Sequence, residues 1–248
     1  MTWRSRIDGQ SAEPLVARAL ERIGPMQEAM KPPAQVILQY EAPGPRRLPD
    51  LLLDLWEHHG IGDLAGGRLR LCLPGALQRE VDALLRGDPY LAGDTQAIAF
   101  GAFGDLVLWS ARFQLVYVTM QLSVVEVPQL IRPEPGLSDD AALLHGLLGL
   151  HPDAMDARDL AGQPMFAPAR ERLKPLPPLH IYGMQPPAPI DEPFTLEHHA
   201  VSELPDWLAE KVSTSVFTLA DLETGRMALR DIGPLQPGEP LRNPGEWG

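Results

Sequence analysis

The spacing of apolar positions changes period twice along the chain. Over residues 12–23, Leu15, Val16, Ala19, Leu20 and Ile23 recur at helical intervals and predict an amphipathic helix that Pro25 closes. Residues 36–40 form a short apolar run that reads as a strand. Pro49 then opens a second helix, with Leu51, Leu52, Leu55 and Trp56 as its buried face and Gly60 as its stop. From Arg68 the period falls to two: Leu69, Leu71 and Leu73 alternate with Arg68, Arg70 and Cys72, which predicts a strand with one buried face. After a short helix at 76–85 come four runs rich in Val, Leu, Ile and aromatics, at 96–100, 105–110, 114–119 and 123–127. Their short separations predict an antiparallel meander.

The period returns to helical in the second half, at 139–150, at 153–173 with a break near Pro164 and Pro168, and at 203–212. The segment RPEPGLSDD at 132–140 stops regular structure and marks a boundary. Prolines at 175, 177, 178, 186, 187, 189 and 193 leave room for only a short strand around His180-Ile181-Tyr182-Gly183, because each removes a backbone donor. Four prolines and four glycines in 233–248 suggest a loosely ordered end. The fold expected is α+β: an antiparallel meander with flanking helices over 1–132, a smaller, mainly helical domain over 133–212, and a Pro/Gly-rich tail over 213–248.

Charge adds a direction. The 248 residues carry 21 Lys and Arg against 33 Asp and Glu, a net charge of −12. Divided at residues 47 and 132, the balance runs +2, −4, −10 from the N-terminus to the C-terminus. A chain this acidic is repelled by phosphate, so nucleic acid and anionic membranes are poor partners. Cys72 is the single cysteine, which removes intramolecular disulfides and cysteine-based zinc sites. No apolar run has the length of a membrane span and the first residues lack a signal-peptide core, so the expected compartment is the cytoplasm.

Candidate chemistry is sparse. Glu57-His58-His59 and Glu197-His198-His199 repeat one tripeptide, but adjacent histidines on a helix diverge, whereas a shared metal needs spacing of three or four. A site drawing one histidine from each doublet would make a metal-dependent hydrolase. No serine lies in G-x-S-x-G, and Cys72 reads as a small strand residue. No Walker A or dinucleotide fingerprint occurs; FGAFGD at 100–105 makes only a weak GxxG match and reads as a turn between strands. The acidic pairs Asp139-Asp140 and Asp191-Glu192 are open to general acid–base or Mg²⁺ roles. Glu203, Asp206 and Glu210 line one face of a helix, with Leu204, Trp207, Leu208 and Val212 opposite. No catalytic residue, cofactor or metal is assigned.

Several ordered segments resemble a known bacterial family. GPMQEAMKPP, QVILQY, LPDLLLDLWEHHGIG, RLRLCLPGALQREVDALL and AFGDLVLW follow one another as in the GAD-like domain of type VI secretion immunity proteins. The matching residues are Leu48, Pro49, Leu52, Leu53, Trp56, Gly60, Pro74, Ala102, Phe103, Gly104, Asp105 and Trp109. Residues 139–212, with Tyr182-Gly183, look like the smaller C-terminal domain that accompanies it in proteins protecting against DNase toxins. The resemblance implies a non-enzymatic, cytoplasmic inhibitor that binds a cognate secreted toxin, expected to be a nuclease, stoichiometrically, plugging its active site or blocking its DNA. An interaction or adaptor module is the alternative. If acidity marks the docking face, its residues are Asp191, Glu192, Glu197, Glu203, Asp206 and Glu210, facing a basic partner.

Overall fold

The computed structural model describes residues 3–187 and 194–247. In chain order the N-terminal half has β1 (Arg6–Ile7), β2 (Gln10–Ser11), α1 (Glu13–Ile23), β3 (Gln27–Met30), α2 (Ala34–Glu41), α3 (Asp50–His58), β4 (Ile61–Leu64), β5 (Leu69–Leu71) and α4 (Gln78–Leu84). The meander follows as β6 (Thr95–Gly101), β7 (Leu106–Ser110), β8 (Gln114–Thr119) and β9 (Val124–Glu126), then α5 (Pro128–Ile131). The second half has α6 (Asp139–Leu143), α7 (Phe166–Leu173), β10 (His180–Met184), β11 (His199–Glu203), α8 (Leu204–Thr214), β12 (Thr218–Asp221) and β13 (Arg226–Asp231).

Among the described residues, nine strands form one sheet in the order β13-β12-β9-β8-β7-β6-β5-β4-β3. The expected meander is its centre, and every pairing from β3 to β9 is antiparallel. An α+β architecture is therefore present. Apolar layers cover both faces. Val107 and Trp109 pack with α1, α3 and α6 on one side, whereas Leu106 and Leu108 pack with α4, α8 and β12 on the other. This explains why β7 reads as an unbroken apolar run rather than an alternating one. It also corrects the one-sided reading of Leu69 to Leu73, because all three residues of β5 are buried.

Three other expectations change. Residues 36–40 belong to α2, not to a strand: Pro33 directs the chain in, its carbonyl takes the Val36 N–H, and only Ile37 of the helix is buried. An apolar run this short fits either element. The helix expected over 153–173 is confined to α7, where Pro168 falls in the first turn and needs no intrahelical donor. The preceding loop is held instead by Asp156, whose Oδ1 accepts the N–H groups of Met165 (3.1 Å) and Phe166 (2.8 Å).

The end of the chain differs most from expectation. Residues 213–248 supply β12, which pairs in parallel with β9 through Thr218↔Val124 and Leu219↔Val125, and β13 beyond it. Trp247 is buried edge-on to Tyr90, and Gly245 N–H donates to Leu130 O. β13, RMALRD, is polar at both ends with one buried residue and so carries little apolar periodicity, yet β12 docks it antiparallel and is itself docked by β9. The divisions at 132 and 212 likewise do not separate cores: α6 and α8 pack on the two faces of the main sheet, and β10 with β11 forms a ribbon beside it. Besides its helices, the region 133–212 carries the two-stranded ribbon β10–β11.

Candidate functional site

The acidic helix face of the sequence reading is α8. Pro205 sits in its first turn, where its missing N–H is harmless, and Leu204 N–H donates to Leu179 O at 2.8 Å. Leu204, Trp207 and Leu208 are buried; Glu203, Asp206 and Glu210 are exposed along the opposite side. What fixes the helix is Trp207. Its indole N–H donates to Met184 O at 2.9 Å, and its ring lies in a slot between two glycines. A Cβ on Gly104 would come within 2.8 Å of Trp207 Cζ3, and one on Gly183 within 2.8 Å of Trp207 Cδ1. Gly104 belongs to the FGAFGD turn and also has φ +97°, so it meets both a steric and a conformational demand for glycine. The weak GxxG match is therefore part of a seat for an indole.

Glu197 is exposed on the turn before β11, and Glu203 sits at the end of that strand, opposite His180. Among the described residues, none of Glu197, Glu203, Asp206 and Glu210 forms an ion pair with a basic side chain. Asp191 and Glu192 lie outside the described residues. Four of the six carboxylates expected at the docking face are thus placed, three of them in a row along α8 and its N-cap.

The other acidic and histidine clusters are occupied with internal work. Ligand-capable atoms of Asp54, Glu57 and His58 lie within 4.8 Å of one another, but the cation among them is the Arg4 guanidinium. Arg4 Nη1 is 3.0 Å from Asp54 Oδ1 and 2.8 Å from Glu57 Oε2. Asp54 Oδ2 also accepts both the Ser5 N–H and the Ser5 hydroxyl at 2.8 Å, and His58 stacks on Trp3 with centroids 4.8 Å apart. This cluster clamps the N-terminal segment onto α3. In the second doublet His199 is buried edge-on to Phe194 and Phe103, with Nδ1 2.7 Å from Thr195 O, and burial lowers its pKa. The two doublets pack into different apolar clusters.

Asp140 accepts the N–H groups of Leu51 (2.8 Å) and Arg6 (3.2 Å), tying α6 to α3 and to the first hairpin. Burial pushes the Cys72 thiol up to about 12, so it is not a thiolate nucleophile near neutral pH. Burial likewise pushes the Asp105 carboxyl up to about 6, against the Met120 N–H bond at 2.7 Å that favours its ionised form.

A family model now bears on this geometry. Residues 15–122 match the GAD-like domain. The matched span runs from α1 through β8 and contains the FGAFGD turn, so the Gly104 wall of the Trp207 slot lies within it, whereas the Gly183 wall and Trp207 itself lie outside it. The crystal structure of Atu4351 from Agrobacterium tumefaciens is similar over 88% of this chain and 98% of that one, with 25% identity and a TM-score of 0.79. The likeness therefore extends well beyond residues 15–122. No curated protein sequence matches the chain. The GAD-like domain is not a known catalytic family and is compatible with an immunity or interaction module. No helix among the described residues is long and apolar enough to cross a membrane.

One feature escaped the sequence reading. An apolar groove beside β3 assembles from five separate stretches of chain, and no local spacing announces it. The slot for Trp207 was closer to view: a tryptophan on the apolar side of an acidic helix, a glycine in a turn and a glycine in a short strand were all visible, but not their meeting.

Proposed function

We propose that this protein is a cytoplasmic immunity protein that neutralises a cognate type VI secreted toxin, a DNase, by one-to-one binding. The observation that carries the reading is the row of Glu203, Asp206 and Glu210 on α8, exposed and without ion-pair partners among the described residues, on a helix fixed by a buried tryptophan. A DNase presents basic side chains to hold phosphate, and a rigid acidic face complements that surface, speeds encounter and competes with DNA for it. The match to the GAD-like domain supports a binding role over a catalytic one. Glu197 extends the same acidic surface, and Asp191 and Glu192 precede it in the chain.

Co-expression with the toxin encoded beside this chain tests the proposal. Growth is rescued, the two proteins co-purify at equal stoichiometry, and DNA cleavage by the purified toxin is lost on mixing. Co-purification without protection of the DNA would instead identify an adaptor, and absence of both would remove the toxin from the account.

A further inference from the structure

Beside the β3 edge of the main sheet lies an apolar groove of about 340 Å³. Met30, Ile61, Leu71, Leu73, Phe100 and Leu179 line it. Met30 stands at its lip with 75% of its surface exposed. Such a volume is in the range that receives a ligand fragment or a large side chain. Its charged neighbours are largely balanced. Arg70 Nε binds Asp63 Oδ1 at 2.7 Å while its Nη1 donates to Pro177 O at 2.7 Å and His180 O at 3.3 Å, and Glu28 and Lys31 stand at the mouth. Arg70 thereby props up the Pro178–Leu179 wall from below.

That wall connects the groove to the acidic helix. Leu179 O accepts the N–H of Leu204, the first residue of α8, and His180 pairs with Glu203 across the β10–β11 ribbon. An apolar recess therefore adjoins the Glu203 end of the carboxylate row. The neighbouring strand edge is a poor template for a tenth strand. The β3–β4 register slips between Gln27 and Met30, Glu28 has φ 50°, and Pro32 and Pro33 follow. Recognition here falls to a side chain entering the groove rather than to backbone pairing.

We propose that the groove and the α8 carboxylates form one docking surface for a basic polypeptide segment that carries a large apolar anchor, the anchor seated between Met30 and Leu179 and its flanking Lys or Arg residues on Glu203 and Asp206. The inference rests on the docking role proposed for α8 and specifies what the partner presents there. A buried anchor ringed by charge is the arrangement in which few residues carry most of the binding energy.

The test uses the full chain and capped pentapeptides with two lysines on each side of a central phenylalanine or alanine, titrated by calorimetry. The phenylalanine peptide binds about 10-fold or more tightly than the alanine peptide, the worth of burying one large apolar side chain. Ala76→Met, which fills the groove, and Met30→Ser, which alters an exposed lip and spares the core, each reduce that preference several-fold. Glu203→Lys with Asp206→Lys weakens both peptides, and more so at low salt. Equal binding of the two peptides, or a preference that survives both groove variants, overturns the groove. Binding of the phenylalanine peptide that is as tight after the charge reversals as before them overturns the continuity of the surface. If the peptides behave as stated but the adjacent toxin does not bind, the toxin reading fails and the docking surface stands.

Discussion

Two acidic regions of the C-terminal half carry the same sign of charge and opposite structural roles. On β12 and the turn after it, Asp221 is fully buried and is bridged by the guanidiniums of Arg132 and Arg226, and Glu223 also pairs with Arg132. On α8, Glu203, Asp206 and Glu210 face solvent with no such partner among the described residues. The balance of −10 over 133–248 counts both alike. Only the second region projects its charge outward; the first spends it holding the last two strands to the sheet. Net charge locates a docking face only after the internally matched groups have been subtracted.

The largest effect expected on the matched side comes from the pair that anchors β13. Asp88 Oδ2 and Arg230 Nη2 form a fully enclosed ion pair, and Asp88 also accepts the N–H groups of Tyr90 (3.0 Å), Leu91 (3.1 Å) and Gly233 (3.2 Å). Asp88→Ala leaves the Arg230 guanidinium buried beside Tyr90 without its counter-charge. Breaking such a pair costs about 3–5 kcal/mol, read as a lower urea midpoint with an unchanged slope. A loss under ~1 kcal/mol would show that the chain end contributes little, and that paired and unpaired acids differ less than the geometry says.

A second test concerns two carboxylates whose pH dependences have opposite sign. Burial raises the Asp105 carboxyl to about 6, so its proton is bound more tightly in the folded chain than in the unfolded one. Its contribution is fully present below about pH 4 and is lost as pH rises through about 6. Asp105→Asn keeps an acceptor for the Met120 N–H and removes the charge, so at pH 7 the variant is more stable than the parent by ~2–3 kcal/mol, and the gain vanishes at pH 4. For Asp221, burial alone would raise the pKa, but bonds from Thr224, Arg226 and Arg132 outweigh it and hold the carboxyl well below the usual range. Its contribution is present above about pH 4 and is lost as pH falls further. Melting curves of both Asn variants between pH 3 and 8 separate the two; parallel curves would contradict the assignment.

Much of this arrangement was legible in the sequence, and the limit has a physical cause. The meander from β6 to β9 was visible because its strands are rich in Val, Leu, Ile and aromatics, and α3 because Pro49 opens a dense apolar run, although Leu51 to Trp56 are all buried rather than one face. α1 was visible because its apolar residues repeat along one face. α8 and its exposed acids were legible for the same reason. Local periodicity carries no information on pairing across distance. It could not show that Arg132 reaches Asp221, that Thr218 and Leu219 find β9 in parallel, or that Arg4 fills the Asp54–Glu57–His58 cluster. The histidine doublets drew attention as chemistry because their neighbours in space were hidden, and those neighbours turn them into packing.

The smallest effect on stability, and the sharpest test of the comparison, belongs to the α8 row. Reversing Glu203, Asp206 and Glu210 together to Lys touches no buried group and breaks no ion pair among the described residues, so the free energy of unfolding moves by no more than ~0.5 kcal/mol per site. Helix electrostatics shift it slightly toward loss, since Glu203 and Asp206 stand at the N-terminal end, where negative charge is favoured. Association with a basic toxin responds in the other proportion. The on-rate falls at low ionic strength, and the difference from the parent closes as salt shortens the screening length from about 10 Å at 0.1 M toward ~3 Å at 1 M. Stopped-flow association at several salt concentrations, beside a denaturation curve, reads both quantities. A large stability loss would mean that these carboxylates have internal partners after all. An unchanged, salt-independent on-rate in a stable variant would move the docking face off α8 and leave the paired and unpaired acids functionally alike.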